Sequence, residues 1–259
     1  MNIVKRAVRK AGRLLRGEKA PVAEQATPER MRSIGELAAL PLADDKAIKR
    51  VEIIILKFRE DPDVIQRCVM SIITRTEHPF KLNVFDNRPN TANMAKIWNK
   101  LIAESTCDYV CIIDSDTEVP DVKPDWLSRL MESIDETGVV VPVGDNVGGS
   151  NQADTPKSYP SARLDRDERD LWTGFCFLFK KSLWEDMHFD ERFYLYGQES
   201  AWAWKLAKFG KGTIIRTDTL VHHERGHSIK KEEQKGTLDR VADKRYAGEL
   251  LERIKRGEA

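Results

Sequence analysis

The rhythm of apolar positions changes at residue 51. From there "VEIIIL" is a continuous β-branched run, the composition of a strand buried on both faces of a parallel sheet. Asp61 and Pro62 then form an N-cap and first-turn pair, and Ile65, Cys68, Val69, Ile72 and Ile73 recur at helical spacing. The alternation continues. "LNVF" reads as a strand, Met94, Ile97, Trp98, Leu101 and Ile102 mark one helix face, and "YVCII" is another strand. "DWLSRLMESIDET" follows as helix and "VVVPV" as strand. Strands alternating with helices predict an α/β fold with a mostly parallel central sheet, right-handed crossovers and helices on both faces. Such sheets take ligands beyond the carboxyl ends of their strands.

The second half is less regular. Residues 144 to 170 are rich in Gly, Asn, Asp and Arg and too long for an ordinary connection, so they read as a functional or mobile loop. "WTGFCFLFKK" then predicts a strand, "ESAWAWKLAKFG" a helix ended by Gly210, and "GTIIR" a further strand. The division expected is a basic segment with linker over 1–48, a catalytic domain over 49–228 and a charged helical tail over 229–259.

Composition narrows the class. In 259 residues, 41% hydrophobic, there is material for a substantial core, and 43 basic against 42 acidic residues leave a net charge of +1. That balance advertises neither a nucleic-acid binder nor an acidic tail, so any charged partner has to be argued locally. Cys68, Cys107, Cys111 and Cys176 show no paired spacing, and three lie in apolar runs, where cysteine packs as a small hydrophobe. The first 20 residues hold seven basic residues and one acidic one. As a helix they would set Val4, Val8, Ala11 and Leu15 opposite a basic face, which suits an anionic membrane surface, a nucleic acid or a partner protein; a weakly ordered tail is the alternative. With no run of roughly 18 to 20 apolar residues and no signal peptide, the expected location is cytoplasmic, peripheral to the inner face of a membrane if the basic segment binds there.

The candidate chemistry collects at strand ends. Asp114 and Asp116 in "YVCIIDSDTEVP" follow a central strand, where two carboxylates at i and i+2 can share a hard divalent cation; as turn residues they would need no function. Asp86 and Asn87 in "FDNRPN" end the preceding strand on the same rim, and His222 and His223 close a later one. Several polar clusters converging at strand ends fit a ligand crevice.

Together these segments resemble the family 2 glycosyltransferases of the GT-A fold, over roughly residues 51 to 228. "NVFDNRPN" resembles that family's strand ending in Asp-Asn, and "CIIDSDTEVP" its Asp-X-Asp segment. "FDERFYLYGQES" with the Trp-rich helix after it resembles its Phe-Asp-Glu-Arg-Phe segment and acidic pair, and "VHHERGHS" its closing histidines. The resemblance implies a nucleotide-diphosphate sugar as donor. Leu56, Phe58, Asp86, Asn87, Arg88, Asp114 and Ser115 would lie on the donor side, with Asp86 at the base and Asp114 at the ribose or a metal-bound water. Asp116 and one histidine, His223 in preference to His222, would hold Mn or Mg on the diphosphate. The charged but balanced run "RLDRDERD" reads as a solvated loop, from which Arg163 or Arg169 could add a diphosphate contact.

On the acceptor side the resemblance implies Trp172, Gly174, Gln198 and Trp202, with Glu199 as the base of an inverting transfer. Trp202 and Trp204 could stack on a sugar, but two apart on a helix at least one belongs to the core, and Glu199 could instead be a first-turn acid favoured by the helix dipole. The family's acidic pair is Glu-Asp; here Gln198 lacks the first charge and Ala201 replaces a further acid. Without the Gln-x-x-Arg-Trp signature of processive synthases, a single transfer is expected. The acceptor would be a glycan, a lipid-linked glycan, a modified nucleic-acid base or another hydroxyl compound. Two other classes stay open. A nucleotidyltransferase shares the carboxylate logic, though "LKFREDPD" lacks its glycine-rich phosphate loop. A non-catalytic nucleotide-sugar-binding protein would account for Gln198 and Ala201.

Overall fold

The computed structural model describes residues 49–58, 60–87, 93–145, 147, 161–164 (as backbone), 172–224 and 241–258. The basic segment 1–48, Arg88, Arg169, the side chain of Arg163 and most of the 144–170 loop lie outside the described residues. The strands are β1 (Val51–Lys57), β2 (Phe80–Asp86), β3 (Tyr109–Asp114), β4 (Thr117–Glu118), β5 (Val139–Gly144), β6 (Ser161–Leu164), β7 (Cys176–Lys180) and β8 (Thr213–His223). The helices are α1 (Pro62–Arg75), α2 (Met94–Glu104), α3 (Trp126–Thr137), α4 (Lys181–Asp186), α5 (Gln198–Lys208) and α6 (Val241–Lys255).

One sheet carries them in the order β2-β1-β3-β7-β5-β8-β4, with β6 on β8. β1 pairs in parallel with both β2 and β3, and β5 in parallel with β8, while β7 runs antiparallel between β3 and β5. Five strands therefore point one way, and their carboxyl ends form one rim. The period of two splits each central strand between two cores. Ile54, Leu56, Ile112 and Phe177 face Trp98 and Ile102 of α2 and Trp202 and Leu206 of α5. Ile53, Ile55, Cys111 and Leu178 face Ile65, Cys68 and Ile72 of α1 and Leu127, Leu130 and Ile134 of α3. That division is why the central runs carry apolar residues toward both faces, with Glu52 of β1 a buried exception. All four cysteines are buried and unpaired, as their apolar settings predict.

Two local arrangements prepare the rim. β4 pairs antiparallel with the end of β8, Thr117 opposite His223, and the Glu224 amide donates to the Asp116 carbonyl at 2.9 Å. α1 fastens the outgoing chain from behind. Arg67 Nε reaches Glu118 at 2.8 Å, the Val119 amide donates to Ser71 Oγ at 3.1 Å, and Arg75 donates to the Val119 carbonyl at 2.7 Å. Glu118, the third acid of its run, thus anchors the turn that carries the other two.

At the far end of the chain, α6 lies on α5. Ala247 and Leu250 pack against Phe193 and Ala201, with Tyr246, Trp204 and Ile254 around them. The helical part of the charged tail is thereby built into the same body as the sheet. Ala201 is fully buried in this contact, so the position where an acid was expected by resemblance is here a small residue between two helices.

Candidate active site

The site grows from the end of β3. The strand terminates at Asp114, whose amide donates to the Phe175 carbonyl at 2.8 Å, and the next residues turn sharply into β4. Asp114 and Asp116 therefore look out of the same rim. The β4–β8 pairing brings His223 over them, with Nε2 3.4 Å from Asp116 and 3.9 Å from Asp114. One ligand atom from each of the three lies within 4.8 Å of the others. Phe175 stacks on the imidazole at 5.3 Å between ring centres, and Nδ1 is buried without a hydrogen-bond partner among the described residues. His222 is turned the other way, its Nδ1 2.6 Å from Asp145, whose other oxygen accepts the His223 amide at 2.9 Å.

Two further carboxylates press on this group. Glu60, buried, accepts the Phe58 amide at 2.9 Å, and burial, reinforced by the Asp116 charge, raises its pKa above the ordinary carboxylate range. Loss of water around Asp114, then the charges of Asp116, Glu199 and Glu60, raise its pKa well above the ordinary value. Hard oxygen donors and one imidazole, crowded until like charges repel, are the donor set a divalent cation fits, since its charge relieves the repulsion.

Glu199 stands across the crevice in the first turn of α5. That helix starts from Gly197, whose φ of +94° lies in the left-handed region that glycine takes without strain. Gly174 leaves the space Glu199 occupies. A Cβ at position 174 would come within 2.8 Å of Glu199 Cγ and 3.1 Å of its carboxyl carbon.

The donor-side residues lie where the strands leave the sheet. Asp86 and Asn87 follow β2, with Lys57 Nζ 3.4 Å from Asp86 and the Asn87 amide bonded to the Lys57 carbonyl at 3.0 Å. Ser115 is buried in the turn between the two aspartates. Leu56 packs its side chain into the core, and Phe58 is likewise buried, so beta-strand backbone is what this part of the rim offers.

The tryptophans need correcting. Trp202 is 1% exposed, with Phe179 and Phe189 against its ring and its indole N–H donated to the Met187 carbonyl. Trp172 is equally buried, 4.8 Å from Phe177 between ring centres, with its indole N–H unpartnered among the described residues. Neither presents a face on which a sugar could stack, because both fall on the core side of their segments. Gln198 is buried beside Glu199. The exposed aromatics of this region are Tyr194 and Tyr196, just before α5. Sequence reasoning missed Glu60, Lys57 and Asp145, whose importance comes from partners far along the chain.

The comparisons agree with this architecture. Residues 85–190 match the family model described as glycosyl transferase family 2, a span that includes Asp86, Asp114, Asp116 and Gly174 but ends before Glu199 and His223. No curated protein matches the sequence. Among solved structures, GalNAc-T7 with UDP, GalNAc and Mn2+ is similar with a TM-score of 0.54 at 15% identity, over 69% of this chain and 44% of that one. S. aureus TarS 1-349 is similar with a TM-score of 0.50 at 14% identity, over 67% of this chain and 60% of that one. Its complex with UDP gives a TM-score of 0.50 at 13% identity, over 74% and 71%. The chain thus spans less than two thirds of the first two structures, and at these identities the likeness is one of fold.

Proposed function

From a chain whose residues 85–190 match the model of glycosyl transferase family 2, and whose fold is GT-A, we propose a transferase that moves one sugar from a nucleotide-diphosphate sugar to an acceptor hydroxyl with inversion. One observation carries this reading: the Asp114, Asp116 and His223 set shares a crevice with Glu199, near enough for the Glu199 charge to bear on Asp114. The UDP in the similar GalNAc-T7 and TarS structures supports the donor class.

Asp86 and Asn87 receive the base at the end of β2, and Asp114 with Ser115 faces the ribose. Mn or Mg held by Asp116, His223 and Asp114 would neutralise charge on the diphosphate as it departs. Glu199 accepts the proton of the acceptor hydroxyl while that oxygen attacks the anomeric carbon from the face opposite the leaving group. Gly174 keeps the carboxylate's side of the crevice open, and buried Gln198 sets an uncharged neighbour beside it. No described helix is long and apolar enough to cross a membrane. Attachment through the basic N-terminal segment to anionic lipid or nucleic acid, and an acceptor drawn from glycans or lipid-linked glycans, remain part of this proposal.

The test is nucleoside diphosphate release from a panel of UDP-, GDP- and dTDP-sugars with Mn2+ or Mg2+. Asp116→Ala should lower kcat/KM by ~10²-fold or more. Glu199→Gln should lower kcat by ~10²- to 10⁴-fold while nucleotide affinity is kept. A folded Glu199→Gln variant at full rate removes the base assignment. Release that ignores both chelation and Asp116→Ala removes the cation.

A further inference from the structure

The α6 helix reaches back to the segment that launches Glu199. Asp243, in its first turn and 5% exposed, accepts three consecutive backbone amides with its two carboxylate oxygens. They are Tyr194 at 3.1 Å on Oδ1, and Leu195 at 2.8 Å and Tyr196 at 2.9 Å on Oδ2. The next residue is Gly197, whose carbonyl accepts the Ala201 amide at 2.9 Å to begin α5, and Glu199 follows two positions later. Gly197 makes no side-chain cap, so α5 starts with no local anchor of that kind.

The same segment is tied on its other side, where the Tyr194 carbonyl accepts the Met94 amide at the start of α2 at 2.9 Å. α2 is the helix that follows the donor strand β2. The 194–196 backbone is therefore a strap between the donor half of the crevice and the helix that carries Glu199, and Asp243 is its mount. A charged acceptor shared among three amides is a stiff mount, because charge-assisted bonds are stronger and shorter than neutral ones. Glu199 lies close to Gly174, and a shift of the 194–196 backbone would move its carboxylate relative to the rim.

We propose that Asp243 is a positioning residue for the reaction, fixing the Glu199 carboxylate through the 194–196 backbone. The inference rests on the glycosyl-transfer reading above. An error of about 1 Å in a reacting group can cost ~10²-fold in rate without altering ground-state binding. The effect should therefore fall on kcat and spare the nucleotide.

The experiment uses the full chain, with Asp243→Ala and Asp243→Asn compared by kcat and by calorimetric titration with UDP, GDP and dTDP in the presence of Mn2+. Asp243→Ala should lower kcat ~10- to 100-fold with nucleotide affinity within about twofold of the parent. Asp243→Asn, which keeps one oxygen acceptor, should recover part of that loss. Unchanged kcat in folded Asp243→Ala, or nucleotide affinity falling in step with kcat, overturns the proposal. If Asp243→Ala does not fold, Asp243→Asn alone decides on the same two readouts. Hydrogen exchange separates this inference from its premise. A parent protein that turns over no donor sinks the transfer reading. Exchange at the 194–199 amides that Asp243→Asn leaves unaltered sinks the mount.

Discussion

At the scale of single residues, Gly174 makes the sharpest demand. Its missing side chain is room for Glu199, and the clash on adding a Cβ involves a chain that can swing aside. Gly174→Ala should therefore cost less than ~1 kcal/mol in stability, since a rotamer change relieves it. If Glu199 is the base, as proposed, it should lower kcat about tenfold or more, because the relief displaces that carboxylate. Comparing thermal midpoint with kcat checks both halves. The meeting of Asp114, Asp116 and His223 was legible in the sequence because each ends or borders a strand in a recognisable segment. Glu60 and Asp145 were not. Their roles depend on the Asp116 charge and on the two histidines some 78 residues along, distances that no local pattern encodes. Which tryptophan faces the core was not legible, because aromatic composition is the same for a stacking platform and for a core.

At the scale of elements, most strands and helices were legible because an all-apolar run and a 3.6-residue stripe differ plainly. What periodicity does not carry is direction, so β7 gave no sign of running against its neighbours. Nor does it resolve pieces as short as β4 or α4, which exist because of their pairing and packing. The turn "FDERF" is a clearer case of sequence turned into joinery. Asp190 binds Arg192 at 2.6 Å and the Tyr246 hydroxyl of α6 at 2.8 Å. Burial opposes its ionisation, but the hydrogen bonds from Arg192 and Tyr246 outweigh that and hold its pKa at about 2. Burial and the same Asp190 charge push Tyr246 up to about 12. A depressed carboxylate stabilises the fold above its unfolded pKa and loses that contribution as pH falls through the folded one. The stability gap between the parent and Asp190→Asn should then be largest above about pH 4. It should shrink by roughly 2 kcal/mol on going to about pH 2, as read by urea unfolding at each pH.

At the scale of the molecule, the charged tail contributes its helix α6 to the body. Leu250 is 1% exposed against Phe193, Ala201 and Ala247. Leu250→Ala should cost about 2 to 4 kcal/mol in urea unfolding, where an independent tail would cost next to nothing. The GT-A architecture itself was legible from the order of segments, since several motifs in sequence constrain a topology far more than any one. The reversed β7 has a consequence for how such a chain can change. Outgoing strands flank β7 on both sides, and it comes in between the exits of β3 and β5, just after Phe175, whose carbonyl holds the Asp114 amide. The β1–β2 and β1–β3 pairings do not pass through β7, so a change where β7 enters the sheet alters that side of the rim while the β1–β2–β3 register stays where it is.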